Sequence, residues 1–141
     1  MTQFEKPITD KSKNKPVFHQ ESCLRHWPVQ LRLVPPTAPF LKNADLLLVA
    51  DCVPFAYADF HPALLHDHTL LVACPKLDDF DAHLAKLTDI FRQAEIKSLT
   101  IVKMEVPCCS GLVHLAKQAI AASGKNIPFT EITISTNGNR I

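Results

Sequence analysis

The feature of this sequence that most constrains its fold is an alternation of short, uninterrupted apolar runs with longer stretches of helical pattern. The first two runs cover residues 46–50 and 70–73, a third run of β-branched or apolar residues covers 98–102, and residues 127–135 supply a last predicted strand. Strands that are buried on both faces have such continuous apolar runs, whereas half-exposed strands alternate apolar and polar residues. The alternation predicts an α/β fold, a three-layer domain in which a short, mostly parallel sheet of about four strands has helices on both faces.

The stretches between these runs contain helical spacing. Phe80, Leu84, Leu87, Phe91 and Ala94 follow one another at steps of four, three, four and three residues, which predicts a helix over 78–94. Asp78 or Asp79 is expected to cap its start. A second amphipathic helix is predicted from residue 112 to a stop at Gly124, and a weaker helical stretch from the first run to about residue 66.

The N-terminal part has a different character. Residues 1–21 are polar, rich in lysine and interrupted by proline, and we predict a flexible arm there, followed by a single α/β domain over 22–141. Pro28, Pro35, Pro36 and Pro39 exclude a long helix between residues 22 and 39. We expect an extended segment that lies over the domain, with one short strand at 31–34.

Composition excludes several classes of partner. The 141 residues have a net charge of +1, so no charge excess indicates nucleic-acid binding, and no apolar run is long enough to span a bilayer. The three glycines fit no phosphate-binding loop. The first residues do not resemble a secretory signal, so we expect a cytoplasmic protein with no nucleic-acid or membrane partner.

The five cysteines are the candidate functional residues. Cys52 ends the first predicted strand, Cys74 ends the second, and Cys108 and Cys109 follow the third. The carboxyl ends of parallel strands meet at one edge of a sheet, and neighbouring strands are about 4.8 Å apart. A reducing cytosol disfavours disulfides. We therefore predict that Cys52, Cys74, Cys108 and Cys109 bind a metal, with Cys23 as a further thiol or a packing residue; thiolates suit iron–sulfur clusters and zinc alike.

Two other interpretations of the same residues remain open. The dipole of the helix after Cys108 and Cys109 would stabilise a thiolate, so either cysteine is a candidate nucleophile of a thiol-dependent redox enzyme, with Cys74 or Cys52 as the resolving thiol. Alternatively, the chain is a non-catalytic interaction domain whose cysteines are buried in the core. No residue is assigned a catalytic role in the leading interpretation.

Five stretches of the sequence are distinctive: WPVQL at 27–31, LVPPTAP at 33–39, ADCVPFAYADFH at 50–61, CPKLDD at 74–79 and MEVPCC at 104–109. Together they resemble the C-terminal region of a family of bacterial iron–sulfur, ferredoxin-like proteins. In that family this region follows a module with two CxxCxxCxxxC-type motifs that bind [4Fe–4S] clusters. This chain contains no such motif.

The resemblance implies iron–sulfur chemistry rather than zinc at the four cysteines. It also implies a role in electron transfer, or as an accessory to a redox protein partner with the clusters that this chain lacks.

Overall fold

A computed structural model describes residues 20–141, so all but the last two residues of the arm predicted over 1–21 lie outside it. The strands are β1 (Asp45–Ala50), β2 (Thr69–Ala73), β3 (Ser98–Met104) and β4 (Phe129–Ile134). The α-helices are α1 (Val53–Ala56), α2 (Phe80–Gln93) and α3 (Ser110–Ser123). A π-helix covers Phe60–Leu65, and 3₁₀ turns cover Pro39–Leu41 and Pro107–Cys109.

The four strands form one parallel sheet in the order β2-β1-β3-β4. Five of the six β1 residues and four of the five β2 residues are buried, because layers of helix and loop cover both faces of these strands. The predicted three-layer α/β fold is therefore confirmed. The strand order changes direction between β1 and β3, which makes their carboxyl ends the switch point where open α/β sheets bind ligands.

Local sequence determines where the two long helices begin and end. At the start of α2, the Asp79 carboxylate accepts hydrogen bonds from the backbone N–H groups of Asp81 and Ala82, so Asp79 is the N-cap. Gly124 ends α3 with a φ of 71°, a left-handed conformation that glycine adopts without strain. The helices pack against each other, and no helix of the described residues is long and apolar enough to cross a membrane.

The helical stretch predicted to reach residue 66 is broken into two short pieces, α1 and the π-helix. Pro62 lies inside the π-helix, where its missing N–H disrupts regular α-helical hydrogen bonding. The His66 N–H bonds instead to the carbonyl of His61, five residues earlier. The result is a compact connection that leads the chain directly from β1 to the neighbouring strand β2.

Residues 20–44, which we call the strap, cover the outer edge of β2. The strand predicted at 31–34 is wrong: within the described strap, the strand-like pairing is a bridge between Gln30 and Val72, after which the chain turns. The N–H groups of Leu33 and Val34 both donate to the Gln30 carbonyl, and this turn leads the chain away from β2. Lys86 of α2 donates hydrogen bonds to the carbonyls of Arg32 and Val34 and so holds this turn in place.

Candidate functional site: the carboxyl edge of the sheet

The four predicted ligands lie beyond the carboxyl ends of three strands. Cys52 is two residues past β1, Cys74 directly follows β2, and Cys108 and Cys109 form the end of the 3₁₀ turn after β3. Their exposure differs, since Cys52 and Cys108 are exposed, Cys74 is half-buried and Cys109 is buried. The fifth thiol, Cys23, is half-buried in the strap, where its N–H donates to His61 Nδ1.

Three of these thiols influence one another. Burial raises the pKa of the Cys109 thiol, and the neighbouring Cys108 and Cys52 raise it further, although a hydrogen bond with the Met104 backbone opposes the shift. The sequence predicted the opposite direction for the pKa, because a helix N-terminus favours a thiolate. In the folded domain, burial is the largest influence on this thiol, and it raises the pKa of Cys109 above its ordinary value.

The Cys74 loop is held by a carboxylate. The backbone N–H of Cys74 donates to Asp78 Oδ2 at 2.9 Å, and this hydrogen bond is the main reason that the pKa of Asp78 is lowered. His83 Nε2 of α2, on a ring that is almost fully buried, lies 3.0 Å from the same oxygen without the alignment of a hydrogen bond. Asp78 therefore orders the loop between β2 and α2 and does not cap the helix.

Asp51 is a second residue at this edge, after His83, with a buried polar atom that lacks a hydrogen-bond partner among the described residues. Its Oδ1 is buried and has no hydrogen-bond partner in the part of the chain that the structure describes. Burial raises the pKa of Asp51, the nearby Asp78 raises it further, and His83 opposes this. Because Ala50 pairs with Ala73, the register continued by one residue aligns Asp51 with Cys74.

Glycine allows α3 to begin close to the Cys74 loop. A Cβ atom added to Gly111 would lie 3.0 Å from the Cβ of Pro75. This close approach places the start of α3 against the loop that follows β2 and Cys74.

A cavity of about 390 Å³ lies beside this edge, between β2, the π-helix and the strap. Eight of its eleven lining residues are apolar, and Asp51 is the lining residue with a formal charge. Phe55, whose side chain is 92% exposed, and His61 also line it. The sequence analysis predicted no cavity, because its wall combines the strap with residues between 51 and 72, and no local pattern records that contact.

Among residues 20–141, no three His, Cys, Asp or Glu side chains are grouped closely enough to hold a metal ion. The predicted ligands thus share one edge without surrounding a single point. Asp51 and His83 were not recognised from the sequence as part of this edge. The position of Asp51 directly after β1, beside Cys52, is the signal that could have revealed it.

The chain belongs to a family described as a Rossmann-like domain, whose model matches residues 38–141. This is the class of protein that the parallel sheet and its switch point define. An uncharacterised protein of the archaeon Archaeoglobus fulgidus is 30% identical over 115 residues, which is 82% of this chain and 81% of that protein. No solved structure matches the chain.

Proposed function

We propose that this protein binds an iron–sulfur cluster through Cys52, Cys74, Cys108 and Cys109, and that it acts in electron transfer or as an accessory to a redox partner protein. One observation carries the proposal: three strand ends place four cysteines at a single edge of the sheet, at the switch point where this fold binds ligands. The reducing cytosol expected from the sequence would keep these cysteines available as thiols.

The arrangement of the thiols favours a cluster over a single zinc ion. Zinc requires four ligands at tetrahedral positions about one point, with sulfur about 2.3 Å from the metal. The described residues contain no such group. In a cluster each iron takes its own thiolate, so the four ligands can be farther apart.

The surface around the cysteines suits a transient protein partner. Phe55 follows Cys52 by three residues and is 92% exposed, while Leu77 follows Cys74 by three residues and is 83% exposed. Exposed apolar side chains beside a redox centre can be buried by a partner protein when it docks, even where the interface is small. A partner would thus approach the edge where the cluster is proposed.

The decisive experiment is anaerobic purification and reconstitution with iron and sulfide, followed by metal and sulfide analysis, visible absorption and EPR. We expect stoichiometric iron and sulfide in the wild-type chain, with a loss of cluster content in each of the variants Cys52→Ala, Cys74→Ala, Cys108→Ala and Cys109→Ala. Cys23→Ala is the matched control, since Cys23 lies in the strap, and it should retain the cluster.

The proposal is wrong if the reconstituted wild-type protein contains no stoichiometric iron and shows no visible absorbance. If the isolated protein contains stoichiometric zinc and no iron, the cysteines form a zinc site and the cluster proposal is wrong. Equal cluster loss in Cys23→Ala and in the four variants would show that the loss reflects damage to the fold and not to a ligand set.

A second candidate, a thiol-dependent redox protein, is favoured by the exposure of Cys108 beside Cys109. The Cys108 thiolate would attack a substrate disulfide and release one substrate thiolate. Cys74 or Cys52 would then attack the mixed disulfide, releasing the second substrate thiolate and leaving an oxidised protein disulfide. The exposed Cys108 suits the role of nucleophile better than the buried Cys109.

Alkylation kinetics separate the two candidates. A thiol enzyme requires one fast-reacting cysteine at neutral pH, and we expect it to be Cys108, which is exposed. Uniformly slow alkylation of all five cysteines in the reduced, metal-free protein would exclude this second candidate.

A further inference from the structure

The cavity beside Asp51 is separate from the cysteines and suits a ligand of its own. At about 390 Å³ it is at the small end of the range for ligand pockets, which indicates a molecule with one ring system. Walls from the strap, α1, the π-helix and β2 enclose it, with Leu24, Phe60 and Val72 among the apolar contributors. A ligand there would bury its apolar body against side chains that already form part of the core.

The polar groups of the cavity determine which end group the ligand needs. The Asp51 carboxylate accepts hydrogen bonds and repels anions, and its Oδ1 has no partner in the described residues. His61 Nδ1 accepts the Cys23 N–H at 3.0 Å, so the neutral ring has its proton on Nε2. The exposed ring of Phe55 at the rim adds an aromatic face that attracts cations.

From this combination we propose that the cavity binds a small amine: a molecule with an apolar, ring-sized body and an ammonium group that pairs with Asp51. Asp51 is the charged residue in a mostly apolar lining, so an ammonium group beside it supplies N–H donors together with the opposite charge. A carboxylate ligand would meet repulsion at the same position, and a neutral alcohol would supply the hydrogen bond without the charge.

Three probes of matched shape test the proposal: tryptamine, its neutral analogue tryptophol, and the anion indole-3-propionate. Binding to the reduced, metal-free chain is measured by chemical-shift changes in ¹H–¹⁵N spectra. We expect tryptamine to bind at least about tenfold more tightly than tryptophol, in line with a charge-assisted hydrogen bond, and indole-3-propionate to bind most weakly. The shifts should include backbone signals of Phe55, His61 and Val72.

Two variants and a control identify the groups responsible. Asp51→Asn should reduce tryptamine binding to the level of tryptophol, and Leu24→Trp, which fills the cavity from the strap, should weaken all three probes. Asp59→Asn removes an equal charge from an exposed residue outside the cavity lining and should leave the order of affinities unchanged.

Any of three outcomes would overturn the proposal. The three probes could bind with equal affinity, none could bind at millimolar concentration, or the Asp51→Asn variant could bind tryptamine as tightly as the wild type does. These outcomes are independent of the cluster experiment, because the probes are tested without metal. A Cys52→Ala, Cys108→Ala double variant should still bind tryptamine, so failure of the cluster proposal and failure of this one are distinguishable.

Discussion

Adjacent cysteines after β3 differ in chemistry because the chain turns between them. Cys109 is directed into the core and its pKa is raised by burial, while Cys108 remains exposed to solvent. A metal or cluster bound to Cys109 must therefore displace a proton that this site holds more tightly than an exposed thiol would. The two residues, identical in type, are expected to contribute unequally to any metal site and to any thiol reaction.

Gly111 provides a residue-scale test of how rigid the edge is. Alanine is the better helix former, by about 1 kcal/mol, and would stabilise α3 if the site had room. Here the added Cβ would meet the Pro75 Cβ at 3.0 Å, and the proline ring cannot rotate away. We expect Gly111→Ala to lower the free energy of unfolding by about 1 kcal/mol, since overpacking typically costs about 1–3 kcal/mol, as measured by urea denaturation.

The control for this substitution is Gln118→Ala on the exposed face of α3, which should change the free energy of unfolding by less than about 0.5 kcal/mol. A Gly111→Ala variant as stable as the wild type would mean that the Cys74 loop moves freely away from α3. In that case the contact with Pro75 does not hold the strand ends together.

At the scale of elements, the strap is attached to the domain by a histidine. The Leu70 backbone N–H donates to His26 Nε2 at 2.9 Å, and Nδ1 contacts the Pro28 carbonyl at 3.2 Å. The ring also stacks on Phe40, with centroids 4.1 Å apart. Because Nε2 accepts a hydrogen bond, the ring is neutral here, with its proton on Nδ1.

This attachment predicts that the strap loosens in acid. Burial lowers the pKa of His26, although the Pro28 carbonyl opposes the shift, so the unfolded chain binds the proton more readily than the folded one. The contribution of neutral His26 to stability is therefore complete above the unfolded pKa of 6.5 and is lost as the pH falls through and below that value. We expect the wild type to lose more unfolding free energy between pH 7 and pH 5 than His26→Gln, which does not titrate.

The measurement is urea denaturation at each pH, followed by the fluorescence of Trp27, the single tryptophan, which adjoins His26. Arg25, Asp67 and His68 line the same small cavity as His26, and His68 is the other histidine of that lining. His68→Gln is therefore the control. If His68→Gln flattens the pH dependence and His26→Gln does not, the assignment to His26 is incorrect.

The elements differed in how far the sequence could predict them. β1, β2 and α2 were predictable because their apolar residues have the period of the structure that they form, and Asp79 was among the predicted caps. The strap was not, since Gln30 pairs with Val72 through a contact 42 residues away in sequence that no local pattern records. Likewise, the four cysteines could be assigned to one edge from strand order, whereas the burial of Cys109 depends on side chains contributed by other elements.

At the scale of the whole molecule, the sheet edge brings together the loops that follow three strands. β1, β2 and β3 are hydrogen-bonded along their lengths. Beyond their ends, Gly111 of α3 lies against Pro75, and the Cys74 N–H donates to Asp78 within the loop after β2. A group bound to all four thiols would connect the three loops. Its binding would then be seen in the stability of the entire domain, because a small single domain unfolds cooperatively.

We therefore predict that the protein reconstituted with a cluster melts at a higher temperature than the metal-free protein. A ligand present at 100 times its dissociation constant adds about 2.7 kcal/mol when it binds only the folded state, which for a domain of this size corresponds to a shift on the order of 10 °C. Zinc should give a smaller shift, since the described thiols do not surround one point. Anaerobic calorimetry on the metal-free, zinc-loaded and reconstituted forms makes the comparison, with Cys23→Ala as the variant that should keep the full shift. The prediction is contradicted if the reconstituted protein contains stoichiometric iron and sulfide but has the same melting temperature as the metal-free protein. In that case the cluster does not join the three strand ends.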